Sequence, residues 1–297
     1  MKNNQHKDIK NTYYWSNYHS HSQFCDGKGS MEEFVDSAIS QGLKKYGFSS
    51  HAPLPFNPSW TMKVDKFADY VIEFERLKLK HPDEIELFLG LEVDYIHNCS
   101  DVQNDFFKDK KFDYLIGSIH FMDKMSNGHY WGIDDEISVF DFGLKDLFEG
   151  DIKSAVHRFF EISALMINKG GFDLVGHLDK IAINAGFYKE FNTNMNWYQT
   201  LVAEALQLIK DRNMLLEINT RSLSKLGVPF PNQQFYSLIN ELQIPIVVNS
   251  DCHEITNVRD GFEVTFKALK KAGIKTMHQL INSKWQAVEF DEKGLIA

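Results

Sequence analysis

The chain has 297 residues, is 43% apolar, and carries a formal net charge of −9. That length accommodates one large α/β barrel or two smaller domains, and the negative balance argues against a nucleic-acid-binding surface. The three cysteines form no CxxC pair, which gives no basis for a disulfide framework and fits a reducing compartment.

The first eleven residues, MKNNQHKDIKN, are polar and lack the apolar stretch of a signal peptide. A flexible N-terminal segment is expected over 1–13, with one domain over 14–297. The first strand is predicted over 14–18. Ser30 followed by Glu33 is a capping-box signal for a helix over 31–41, which Gly42 ends. A second strand over 45–49 leads to a Pro- and aromatic-rich loop over 52–62. A helix over 67–80 stops before Pro82, and strands over 86–91 and 113–118 follow. Residues 121–150 are too irregular to assign. A helix over 152–168, closed by Gly170 and Gly171, leads to a strand over 172–176. Then come a helix over 197–212, a strand over 214–219, a helix over 233–242 and a strand over 245–250. Two short helices and a last strand over 286–290 complete the prediction. No run approaches the roughly 18 apolar residues that cross a membrane, so a cytoplasmic protein without a membrane partner is expected.

Alternating strands and helices of this kind predict parallel strands with right-handed crossovers, hence a barrel or near-barrel. In such barrels the active site lies at the C-terminal ends of the strands. Nine His and carboxylate residues fall at that end: His19, His21, Asp26, His51, Glu92, His120, His177, Asp251 and His253. Imidazole nitrogens and carboxylate oxygens are the usual ligands of catalytic zinc, iron or manganese. His19 and His21, like Asp251 and His253, have the i, i+2 spacing that points two side chains the same way on a strand. A lone His beside an apolar run is more often a hydrogen-bonded structural residue than a ligand. Nine at one end of a barrel are not explained by packing. Glu92 sits in an apolar strand where an unpaired carboxylate would be costly to bury, and bridging two metal ions would resolve that cost.

The segments HSH, SSHAPLPF, GLEVDY, GSIHF, YWGID, GHLD and NSDCH resemble the polymerase-and-histidinol-phosphatase (PHP) superfamily, and within it the histidinol-phosphatases. The similarity runs from about Tyr18 to His253. It implies a distorted (β/α)7 TIM-like barrel with three divalent metal ions, whether zinc, iron or manganese. His19, His21, Glu92 and Asp251 would hold one ion, Glu92, His120 and His177 the second, and Asp26, His51 and His253 the third. The implied reaction is hydrolysis of L-histidinol phosphate to L-histidinol and phosphate, in histidine biosynthesis.

The chemistry suits the residues. Metal ions lower the pKa of a bound water to about 7, which makes hydroxide available at neutral pH. They also neutralise phosphoryl oxygens, the main demand of phosphoryl transfer. Asp251 and His253 are the candidates for protonating the leaving alcohol. Among only five arginines, Arg221 lies just past the strand that lacks a ligand, where its fork could hold phosphate, and Arg158 is a second candidate. A carboxylate for the substrate's amine would be Asp94, Asp134 or Asp135. Two other readings stay open: a phosphoesterase acting on nucleotides or another small phosphate ester, and a non-catalytic metal-binding module.

Overall fold

In the computed structural model, which describes residues 12–297, the chain begins with β1 (Tyr13–Asn17), α1 (Met31–Ser40), β2 (Leu43–Phe48), α2 (Phe67–Lys80), β3 (Glu86–Asp94) and β4 (Tyr114–Ser118). An antiparallel hairpin, β5 (Phe121–Lys124) and β6 (Tyr130–Gly132), and helix α3 (Ile137–Phe148) precede the long α4 (Ile152–Lys169). Next come β7 (Leu174–Val175), the short α5 (Ala182–Ala185), α6 (Asn196–Asp211) and β8 (Leu215–Asn219). The chain continues with α7 (Leu223–Leu226), α8 (Tyr236–Leu242), β9 (Ile246–Asn249) and α9 (Phe262–Lys271). It ends on three strands, β10 (Thr276–Ile281), β11 (Lys284–Asp291) and β12 (Gly294–Ile296).

Strands β1, β2, β3, β4, β7, β8 and β9 are neighbours in that order, and every pair is parallel. The ring closes through side chains and one bridge rather than through a full ladder. Asn249 Oδ1 accepts from the Tyr18 N–H (2.8 Å), Asn17 Oδ1 accepts from the Ser250 N–H (3.1 Å), and Ser20 and Cys252 form a parallel bridge. The result is a nearly closed barrel in a single domain, the distorted (β/α)7 form.

Local sequence explains the helices. Ser30 Oγ accepts from the Glu33 N–H, and the Glu33 carboxylate accepts from the Ser30 N–H, a complete capping box contributing on the order of 1 kcal/mol. Met31, Phe34, Val35 and Ala38 then form the stripe that α1 buries.

Inside the barrel, Tyr18, Phe88, Tyr114, Ile116, Leu174, Leu215 and Val247 pack together, with Leu280 of β10 as the plug at the bottom. Gly47 and Gly90 make room for the Tyr114 ring. A Cβ at Gly47 would overlap its hydroxyl, and one at Gly90 would lie 2.6 Å from its Cζ.

Three features differ from the sequence expectation. The unassigned 121–150 segment is the β5–β6 hairpin followed by α3. After α9 comes strand β10, which the sequence reading did not assign; its Met277, Gln279 and Leu280 are buried while Thr276 is exposed. Tyr13, assigned to the flexible segment, belongs to β1 and pairs with Ile296; residues 1–11 of that segment lie outside the described residues. Among the described residues, no helix is long and apolar enough to cross a membrane.

Candidate metal centre

Each of the nine candidate side chains leaves the C-terminal end of a strand or the loop that follows it. His19, His21 and Asp26 follow β1, His51 follows β2, and Glu92 stands within β3. His120 follows β4, His177 follows β7, and Asp251 and His253 follow β9. Two of these positions need backbone that most residues avoid: His177 has φ of 20° and Asp251 φ of 48°, the kind of local strain that functional sites retain.

Glu92 is the hub. Its Oε2 lies 2.9 Å from His51 Nδ1, 3.2 Å from His19 Nε2 and 3.7 Å from His21 Nε2. Its Oε1 lies 2.8 Å from His177 Nε2 and 3.6 Å from His120 Nε2. Asp251 Oδ1 is 3.0 Å from His21 Nε2 and 3.6 Å from His19 Nε2. Asp26 Oδ1 is 3.2 Å from His253 Nε2 and 3.7 Å from His51 Nε2.

Three groups have ligand atoms close enough to share an ion: His21, Asp26, His51 and His253; His19, His21 and Asp251; and His51, Glu92 and His120. These groups overlap the sets that the resemblance implies, with His51 rather than His177 beside Glu92 and His120. The donor set fits metal ions on a further observation. His19 Nε2, His51 Nδ1 and Asp26 Oδ1 are buried, turn into the cluster, and make no hydrogen bond, a state that buried polar atoms avoid unless something else satisfies them.

The electrostatics point the same way. Burial opposes charge on Glu92 and Asp251, yet the histidines around Glu92, and His19 with Arg221 around Asp251, hold both carboxyls well below the usual carboxylate range. Burial, reinforced by the charges of His253 and His51, pushes His21 well below the ordinary histidine value, and burial lowers His177 and His253 as well. Neutral imidazole is the ligating form. His19 and His120 go upward despite burial, because Glu217, Asp251 and Glu92 surround the first and Asp94 the second.

Two of those carboxylates, Glu217 and Asp94, form an outer layer. Glu217 accepts from His19 Nδ1 at 2.6 Å and from the His177 N–H at 2.9 Å, and it also takes hydrogen bonds from Asn219 and Asn249. Asp94 accepts from the His120 N–H (3.0 Å) and ring Nδ1 (2.8 Å). Both histidines are thereby held with Nε2 turned to the cluster. Sequence reasoning missed Glu217, although a carboxylate in the apolar run LLEIN carries the signal that identified Glu92. It named Asp94 as one of three candidates for the substrate's amine, and in the structure Asp94 is engaged by His120.

The cluster opens into a cavity of about 180 Å³ lined on one side by Asp26, His51, His120 and His253. Arg221 Nη1 reaches Asp251 Oδ1 (3.1 Å) and His253 Nδ1 (2.7 Å) at its edge. Lys180, unremarked in the sequence, is buried and pairs with Asp134 at 2.9 Å. Trp60 stacks on Phe121 with centroids 5.5 Å apart and makes an aromatic wall. Arg158 does not line this cavity; Asp123 takes its fork at 2.7 and 2.9 Å, and Glu161 takes its third nitrogen. His157 stacks on Trp197 outside the cavity.

A parallel barrel with a buried cluster of histidines and carboxylates at its C-terminal rim, flanked by cations, has groups that could hold metal ions and suit phosphate chemistry. The PHP domain model matches residues 17–221, and the chain belongs to the PHP family. It is 27% identical to the histidinol-phosphatase of Bacillus subtilis, over 82% of this chain and 96% of that one. The HisK protein of Listeria monocytogenes superposes with a TM-score of 0.76 at 25% identity, covering 84% of this chain and 99% of that one. The histidinol phosphate phosphatase of Lactococcus lactis, solved with zinc, L-histidinol and phosphate, superposes with a TM-score of 0.69 at 21% identity, over 93% and 100% of the two chains.

Proposed function

We propose that the protein is a metal-dependent phosphomonoesterase that hydrolyses L-histidinol phosphate to L-histidinol and phosphate in histidine biosynthesis. The observation that carries this reading is the nine-residue His/carboxylate cluster with Arg221 and Lys180 at the edge of the same cavity. The relatives add the substrate: the Bacillus subtilis protein aligns over almost its whole length, and the Lactococcus lactis structure holds zinc with both products. Three ions are proposed, held by the nine ligands, with zinc the first choice. A cytoplasmic setting accords with cysteines that form no disulfide.

When bound, the ions supply Lewis acidity and lower the pKa of water. The chain does the rest. Arg221 and Lys180 hold phosphoryl oxygens, and the Trp60–Phe121 wall suits a flat ring. Asp251, ionised at neutral pH, takes a proton from the attacking water as its oxygen bonds to phosphorus. As the ester P–O bond breaks, that proton passes to the leaving alkoxide. A carboxyl held so far below its usual range is a weak base and a ready acid, so Asp251 would hold this proton only in passing from the water, which the bound ions would make more acidic, to the alkoxide. Phosphate release from L-histidinol phosphate by zinc-reconstituted protein, against metal-stripped protein, tests the reading. Turnover that requires metal supports it, and no turnover in either state contradicts it.

A further inference from the structure

Three aspartates stand near the cavity, and the structure separates them. Asp94 is engaged by His120, and Asp134 by Lys180 at 2.9 Å. Asp135 lines the cavity, and its carboxylate has no hydrogen-bond or ion-pair partner among the described residues; only its main-chain carbonyl is used, by Asn184. Its placement is built in. The carboxylate packs on the bare Cα of Gly132, where an added Cβ would overlap it. Burial and then the negative charge of Asp134 raise its pKa, and a cation arriving there would offset the repulsion from Asp134.

The cavity wall carries groups of three kinds. Arg221 and Lys180 are cations that could take phosphoryl oxygens, Trp60 and Phe121 are aromatic, and Asp135 offers an unpaired negative charge. A phosphate ester that carries both a flat ring and an ammonium group close to its ester oxygen matches all three. We propose that Asp135 is the residue that binds the substrate's cationic amino group and selects amino-bearing phosphate esters over neutral ones. This rests on the function proposed above. Asp135 acts in specificity, with no part in breaking the P–O bond.

The experiment compares kcat/KM for L-histidinol phosphate with that for the same ester lacking the amine, 3-(imidazol-4-yl)propyl phosphate. It uses the zinc-loaded enzyme at about pH 8, where the ring is neutral and the amine charged. Asp135→Asn should lose roughly tenfold or more on histidinol phosphate, mainly through KM, with the amine-free ester changed by less than about twofold. Gly132→Ala keeps the charge but displaces it, and should lose in the same direction by less. An equal loss on both esters in Asp135→Asn, or no loss on histidinol phosphate, overturns the inference alone. Wild-type enzyme that turns over neither ester overturns the function reading, and the inference with it.

Discussion

Glu217 and His19 meet at 2.6 Å in the buried floor of the metal centre. The same carboxylate accepts the His177 N–H, just past the end of the neighbouring strand β7, at 2.9 Å. One side chain thus positions two of the proposed ligands, which arrive from different strands, and fixes the tautomer of one of them. Such outer partners typically contribute 10–100-fold to metal affinity or activity.

Glu217→Gln keeps the shape and removes the charge. Zinc affinity or kcat/KM should fall by about 10–100-fold, with circular dichroism unchanged. Unaltered affinity and turnover would show that His19 needs no orienting partner.

Zinc binding should strengthen with rising pH. Burial opposes protonation of His19 and His120, but the carboxylates around them raise both pKa values, so the metal-free protein keeps protons that ligation displaces. Each displaced proton makes affinity change about tenfold per pH unit. Titrating stripped protein with zinc between about pH 6 and 8 should show net proton release and tighter binding at the higher pH. Binding independent of pH would contradict this.

The barrel interior has no slack beside Tyr114. Gly90→Ala would place a Cβ 2.6 Å from its ring and should destabilise by roughly 1–3 kcal/mol through overpacking. Denaturant unfolding of the stripped protein reads this, and an unchanged midpoint would mean that the ring can move.

Asp179 is buried beside Tyr198, and burial pushes its carboxyl up to about 6 from 3.8. Between those values the folded state holds a proton that the unfolded state has lost, so this group's contribution to stability falls as pH rises through the interval, by roughly 3 kcal/mol in all. The difference in stability between wild type and Asp179→Asn should therefore shift in the variant's favour from pH 4 to pH 6. Parallel pH profiles for the two proteins would rule that out.

The barrel and the His/carboxylate cluster at its rim were legible because they rest on patterns that sequence carries directly. Parallel strands buried on both faces read as apolar runs, and a charged or imidazole side chain at the end of such a run stands out. Glu92 was found by that contrast, and Glu217 satisfies the same test, yet its place on the strand thought to lack a ligand hid it. Lys180 follows the GHLD motif with no pattern of its own; only the fold brings Asp134 against it. The β5–β6 hairpin was unreadable because its strands are short and shift register. Its buried Trp131 is held by distant packing against Gly143, where a Cβ would collide with the indole. Arg158 carried no local sign that Asp123, also far in sequence, takes its fork.

The most direct measurement is kcat/KM for L-histidinol phosphate beside a panel of nucleotides and sugar phosphates, with zinc-reconstituted enzyme. A preference for histidinol phosphate of about a hundredfold or more, near 2.7 kcal/mol of transition-state discrimination, is the expected result. Equal or better turnover of another ester would leave the metal centre intact and contradict the assigned substrate.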